Sequence, residues 1–366
     1  MGPILMSDLH EVMSLWKDAG GSARRLSLQM CARLGRRLAS GPVNLPAPFR
    51  PSACFGRLRM LGRARVLQCL AVALCLALSL SLLVGTAGAQ TVAVGKATQL
   101  KVQYAGQTRT YIVYVPRSLS ATPSRSAVLM LHGNGGSGTG IMGTSRLNAF
   151  AESVGFVAVY PETPNGRAWS DGRANKAGYD DLGFILTVLD NLVQDNGVNA
   201  SQVYIGGLSS GGFMAERMAC EASSSFVAVS VVSALLSAEL AQTCAPVKAL
   251  PMVYFSGTAD PVVPFGGANW LLSQPATRDF WKSSGTCTRT TGAVGQADRF
   301  NDGTTLSLER IDQCARPDMR LDFYVIESGG HAWPGSKRAA PVQNGLTSQE
   351  VDASAAMVDF FILYGL

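Results

Sequence analysis

A serine with glycine two residues before it and two after it is the pattern in this chain best suited to chemistry. It reads Gly207-Leu208-Ser209-Ser210-Gly211. An apolar, β-rich run (Val203, Tyr204, Ile205) precedes it, and helix-compatible residues follow from Phe213 to Met218. A strand-to-helix turn of this kind lifts a serine hydroxyl clear of a sheet, and its crowding excludes a Cβ at the flanking glycines. A chain with 39 glycines can also hold such a pentapeptide in an ordinary turn. The strand before it and the helix after it favour Ser209 as a nucleophile. A neutral hydroxyl attacks poorly, so it needs an adjacent base that is itself oriented by a carboxylate.

Beyond residue 90 the imidazoles are His132 and His331. His331 follows the serine in a glycine-flanked loop, and the order nucleophile, acid, histidine that goes with this turn selects it. His132 precedes the serine in a His-Gly turn. Asp260 lies between serine and histidine, directly after a buried-strand pattern, where that order requires the acid. Asp298, Asp302, Asp312 and Asp318 sit in polar stretches, Asp322 opens a strand, and Glu327 is too close to His331 in sequence. The tetrahedral oxyanion needs backbone N–H donors. Ser210 supplies one, and the glycine-rich loop at 132–138 supplies the other through Asn134, with Gly133 as second choice. That loop lacks the Gly-Lys-Ser/Thr of a phosphate loop. Trp169, in a polar glycine-rich stretch, could cap the core or line a substrate cleft, and Trp333 could flank a substrate ring beside His331.

Alternating strands and helices must position these residues. A hairpin is expected from 100–104 and 108–115 around Ala105-Gly106-Gln107, with the second strand apolar on both faces. Further strands are expected at 127–131, 156–160, 203–205, 226–232, 252–255, 305–311 and 321–326. Helices are expected at 145–153, with Leu147 and Phe150 inward, and at 180–194, where Phe184, Val188 and Leu192 recur at four-residue spacing. Residues 269–282 read as partly helical and interrupted at Pro275, and 287–303 as irregular. A closing helix at 350–364 would turn Val351, Ala355, Val358 and Ile362 inward. The pattern is α/β with a mainly parallel sheet flanked by helices.

The first 89 residues stand apart. Residues 66–84 are apolar, Arg57, Arg59, Arg63 and Arg65 precede them, and Ala87-Gly88-Ala89 follows. These are the three parts of a signal peptide, expected to be cleaved before Gln90; a membrane-spanning helix is the competing reading. Residues 60–89 form the expected signal peptide, with Met60 as the true start. Residues 1–59 are then an upstream extension without periodicity, and 90–366 are a single catalytic domain. Residues 1–89 hold 11 Lys+Arg against 3 Asp+Glu, and the remainder 20 against 22. The basic balance therefore belongs to the leader and supports no nucleic-acid partner. Cys220, Cys244, Cys287 and Cys314 remain after cleavage, an even count that suits two disulfides in an exported chain. Three connectivities are possible, and neighbour pairing, 220–244 and 287–314, is the expected one. No C-x-x-C spacing exists and only two histidines remain, so a metal site is not expected; no cofactor is expected either.

Several motifs together carry a resemblance: L-H-G at 131–133, D-D-L-G-F at 180–184, G-L-S-S-G-G-F-M-A at 207–215, G-T-A-D-P-V-V-P at 257–264 and G-G-H-A-W-P-G at 329–335. Over roughly 108–364 the chain resembles the exported polyhydroxybutyrate depolymerase and feruloyl esterase group of α/β-hydrolases. The resemblance implies a secreted or periplasmic serine esterase with Ser209, Asp260 and His331 as triad. It also implies Asn134 and Ser210 as oxyanion donors, and the same two disulfides. Many members carry cysteine where this chain has Asn134, and no polymer-binding domain is recognised up to Leu366. A small soluble ester, feruloyl-type before acetyl or hydroxyalkanoate, is thus expected ahead of a polyester or plant cell-wall polymer. Acyl transfer or peptide cleavage by the same triad is the next reading, and a catalytically silent binding module the last.

Overall fold

The computed structural model describes residues 92–119, 124–176, 178–338 and 340–366. All belong to the second of the chain's two units, Ala87–Leu366. The extension expected at 1–59 and the signal peptide expected at 60–89 lie outside the described residues. Among the described residues, no helix is long and apolar enough to cross a membrane.

Ten described strands form one sheet: β1 (Ala97–Tyr104), β2 (Gln107–Tyr114), β3 (Arg125–Leu131), β4 (Val157–Pro161), β5 (Val198–Leu208), β6 (Val229–Val232), β7 (Met252–Gly257), β8 (Arg289–Gly295), β9 (Thr305–Asp312) and β10 (Leu321–Glu327). Their order is β1-β2-β4-β3-β5-β6-β7-β10-β9-β8. The six strands from β4 to β10 run parallel, and an antiparallel pair closes each edge. The helices are α1 (Gly138–Ser145), α2 (Leu147–Phe150), α3 (Asp181–Asn196), α4 (Ser210–Glu221), α5 (Ala238–Thr243), α6 (Gln274–Ser284) and α7 (Ala353–Ile362).

Side chains alternate across each strand, so the central strands build two cores. Leu129, Ile205, Val231, Tyr254 and Phe323 pack with Phe184 and Val188 of α3, Met218 of α4 and Trp281 of α6. Val128, Met130, Tyr204, Val253 and Phe255 pack with Ile141 of α1, Leu147 of α2 and Met357 and Phe361 of α7. This is the α/β-hydrolase arrangement, with helices on both faces of a mostly parallel sheet.

Four local expectations are corrected. The helix expected at 145–153 is α1, then a break at Arg146 (φ 52°), then α2 and a wide turn over Ala151–Gly155. Ser137 caps α1 by accepting the Gly140 N–H, and the glycine-rich composition of 133–143 hid this start. Pro275 opens α6 rather than interrupting a helix, because a first-turn residue has no intrahelical acceptor for an N–H. Residues 287–303 contain β8, an exposed edge strand whose polar sequence has no burial period to read. In α7 the inward residues are Ala353, Met357, Val358, Phe360 and Phe361, while Ile362 is exposed. Turning two phenylalanines inward removes more apolar area from water than Ala355 and Ile362 would.

Disulfides join Cys220 to Cys244 and Cys287 to Cys314. The first ties the end of α4 to the residue after α5, and the second closes the β8–β9 hairpin.

Candidate active site

Ser209 stands between β5 and α4 with φ 54° and ψ −119°, a combination that side chains rarely adopt. Its N–H donates to Val232 O at 2.8 Å, and its carbonyl accepts the Phe213 N–H at 3.0 Å. The turn is so tight that a Cβ on Gly207 would lie 2.2 Å from the Gly211 carbonyl carbon, and one on Gly211 would lie 2.3 Å from Leu131 O. Both glycines are therefore required by close approach.

His331 is carried on the loop after β10. Its N–H donates to Asn344 O at 2.6 Å, and the next carbonyl, Ala332 O, accepts the Ser233 hydroxyl at 2.9 Å. These bonds fix the imidazole over the elbow. Nε2 lies 2.9 Å from Ser209 Oγ, and Nδ1 lies 2.8 Å from Asp260 Oδ2. Asp260 follows β7, and its other oxygen accepts the N–H groups of Val262 and Val263, each at 2.8 Å. The carboxylate is thus oriented by two backbone donors and presents its free edge to the ring. Asp260 and His331 are both buried, which strengthens the coupling between them.

Ser210 opens α4, so its N–H is one of the first-turn donors with no intrahelical acceptor. Its hydroxyl accepts the Trp169 N–H at 2.9 Å. Gly133 packs against the serine: a Cβ placed on it would lie 3.5 Å from Ser209 Cβ. Asn134 is exposed and borders two clefts that meet at Ser209. One cleft, about 420 Å³, is lined by Arg173, Phe213, Val262, Val263 and Trp270 among others. The other, about 520 Å³, holds His331, Trp333, Thr144, Ser336, Arg338 and Asn344.

Trp169 is not a cleft residue. It is fully buried, and its indole N–H donates to His132 O at 2.9 Å. A buried indole N–H usually finds an acceptor, and this one finds it in the loop that leads to Asn134. Trp333 is also largely buried, with its N–H on Ser354 Oγ at 3.0 Å, yet one edge reaches the cleft of His331. The half-exposed aromatic wall is Trp270, a residue that no sequence pattern marks for the cleft. Arg173 lies 3.9 Å from the Phe213 ring centre and 5.3 Å from that of Trp270, and the buried Asp171 holds its guanidinium at two points. A tryptophan in a polar loop was the available signal at 270 as at 169, but periodicity does not tell a capped tryptophan from a wall. The D-D-L-G-F run also has a structural task. Asp180 caps α3, and the buried Asp181 bridges Arg109 of β2 (2.7 Å) and the Ser170 N–H (2.8 Å), which pins the Trp169 loop.

Residues 109–278 match the family described as "Esterase PHB depolymerase". The Nocardia uniformis subsp. tsuyamanensis protein NocK, named as an esterase, is 31% identical over 299 residues, covering 74% of this chain and 84% of its own. Feruloyl esterase B of Neurospora crassa is 36% identical over 111 residues, which are 29% of this chain and 37% of that protein. The structure of acetyl xylan esterase from Aspergillus awamori superposes with a TM-score of 0.51 at 18% identity, over 73% of this chain and 99% of the other, a likeness of fold. With a nucleophile-elbow geometry on this fold and a relative matched over most of its length, the chain belongs to the esterase PHB depolymerase family and is a serine-type carboxylic ester hydrolase of the α/β-hydrolase fold.

Proposed function

We propose that the protein cleaves esters through an acyl-enzyme on Ser209, and that its preferred acyl group is aromatic, of feruloyl type. The observation that carries the reading is the unbroken relay from Ser209 Oγ through His331 to Asp260, at the meeting point of two unlike clefts. His331 Nε2 takes the serine proton as Oγ bonds to the ester carbonyl carbon. Asp260 accepts the Nδ1–H and steadies the imidazolium. The oxyanion receives the N–H groups of Asn134 and Ser210. His331 then returns the proton to the departing alcohol, and water repeats the sequence to free the acid.

Proton return assigns the clefts. The leaving oxygen must sit against Nε2, so the alcohol occupies the cleft that contains His331, whose polar lining (Thr144, Ser336, Arg338, Asn344) suits a hydroxyl-rich alcohol. The acyl group is left to the cleft of Phe213, Trp270, Val262 and Val263. A 420 Å³ volume far exceeds an acetyl group and suits a planar ring between Trp270 and the valines. Curated relatives named for feruloyl and acetylxylan ester cleavage support an ester of this kind. Export also belongs to this reading: the signal peptide at 60–89 is removed before Gln90, and the two disulfides suit an oxidising compartment outside the cytoplasm.

A panel of methyl ferulate, acetylated xylan and hydroxybutyrate oligomers tests the specificity. The expected kcat/KM order places methyl ferulate first. Trp270→Ala should cost about fivefold in kcat/KM on methyl ferulate and little on acetyl esters, in keeping with roughly 1 kcal/mol for one aromatic contact. Equal losses on both substrates, or a wild-type preference for acetyl esters, would refute the acyl-cleft assignment.

A further inference from the structure

His132 is the imidazole that the relay leaves over, and it is buried directly beside the Asn134 loop. Its Nε2 accepts the backbone N–H of Thr163 at 3.2 Å. The Thr163 hydroxyl also lies 3.3 Å from Nε2, but its single proton is donated to Arg167 O at 2.6 Å. A ring nitrogen that accepts a backbone N–H carries no proton, so the hydrogen of the neutral ring is on Nδ1. Nδ1 lies 2.7 Å from Gly133 O and donates to it. Burial holds the ring pKa below its ordinary value and favours that neutral form, against a weaker upward pull from the Gly133 carbonyl, Glu162 and Asp181.

Gly133 O accepts a second N–H, from Gly136 at 3.0 Å. In a trans peptide the carbonyl and the following N–H point in opposite directions. Two donors that fix Gly133 O therefore fix the direction of the Asn134 N–H, away from His132. We infer that His132 is a positioning residue, whose Nδ1–H clamps the Gly133 carbonyl and thereby aims the Asn134 amide at the oxyanion. This rests on the reading of Asn134 as an oxyanion donor.

Trp169 completes the device. Its indole N–H holds His132 O, and its backbone N–H holds Ser210 Oγ, so one buried tryptophan ties together the two segments that supply the donors. The rings of His132 and Trp169 lie 5.2 Å apart, which fixes the imidazole plane from one side.

Two substitutions separate the clamp from mere bulk. His132→Asn puts an amide N–H close to where Nδ1 was, whereas His132→Gln puts it near Nε2 and leaves Gly133 O with one donor. The expected result for His132→Gln is a fall in kcat of about 10- to 100-fold with KM within about twofold, since a donor misaimed is a donor partly lost. His132→Asn should restore most of that kcat. In the wild type, the Asn134 amide proton should move downfield when a phosphonate adduct forms on Ser209, and in His132→Gln the movement should shrink. No movement in the wild type sinks the oxyanion reading, and this proposal with it. Movement in the wild type together with unchanged kcat in His132→Gln, or an equal loss in both variants, overturns the clamp alone. Nitrogen-15 spectra of histidine-labelled wild type need no variant: at pH 7.5 Nδ1 should be protonated and Nε2 bare, and a protonated Nε2 on His132 would overturn the clamp.

Discussion

Ser209 holds a positive φ that glycine would accept without strain, and a residue with a Cβ keeps it only because β5, Val232 and α4 over-determine the turn. The strain belongs to the backbone, so it can be measured apart from the hydroxyl. Both Ser209→Gly and Ser209→Ala should lose turnover of p-nitrophenyl acetate by about four orders of magnitude or more. Of the two, Ser209→Gly should be the more stable by about 1 kcal/mol in urea unfolding, because only the alanine keeps a Cβ at φ 54°. Equal stability would mean that the turn is not strained. The residue types and their order in the chain point to Ser209, Asp260 and His331, and the fold brings these three within hydrogen-bonding distance. Residue type and order do not separate Trp169 from Trp270, because the difference is burial set by tertiary packing: Trp169 is fully enclosed and Trp270 stands at the cleft.

Among the elements, α4 has two tasks: in the proposed mechanism its first turn offers the Ser210 N–H, and its middle carries Glu216 into the core. Glu216 is fully buried, accepts the Tyr254 hydroxyl at 2.6 Å, and has one oxygen without a hydrogen-bond partner. Burial pushes its carboxyl up to about 8, although the Tyr254 bond pulls it down. Between its ordinary value near 4.5 and 8 the folded chain keeps a proton that the unfolded chain has released. Stability from this group is therefore full below about 4.5 and declines until pH 8. Glu216→Gln should remove that slope and gain on the order of 4 kcal/mol at pH 8 relative to wild type. Parallel stability–pH curves for the two proteins would contradict it. The central strands and α3 were legible because burial on one or two faces leaves a period in the sequence. β8, exposed and polar, leaves none, and α1 was hidden by its glycines. α7 lies where expected and Val358 faces inward as expected, but Phe360 and Phe361 rather than Ile362 complete the buried face, because the helix is apolar on several sides.

At the scale of the molecule, the disulfides pin peripheral pieces onto a core that the sheet already closes. Cys220 and Cys244 are 24 residues apart, and a loop of that length is worth about 3 kcal/mol of unfolded-state entropy. Replacing both with serine should lower stability by about that amount while leaving kcat on p-nitrophenyl acetate nearly unchanged, since neither cysteine lines the clefts at Ser209. A large loss of kcat in a folded double variant would show that the bond positions α4 rather than only holding it. On the proposed two-cleft plan the domain brings one ester carbonyl to the Ser209 hydroxyl, and that claim is directly testable. The protein is treated with a fluorophosphonate, digested, and mapped by mass spectrometry. The expected result is a single stoichiometric adduct on Ser209, absent from Ser209→Ala and strongly slowed in His331→Ala. An adduct on another residue, or unchanged labelling of Ser209→Ala, would contradict the account.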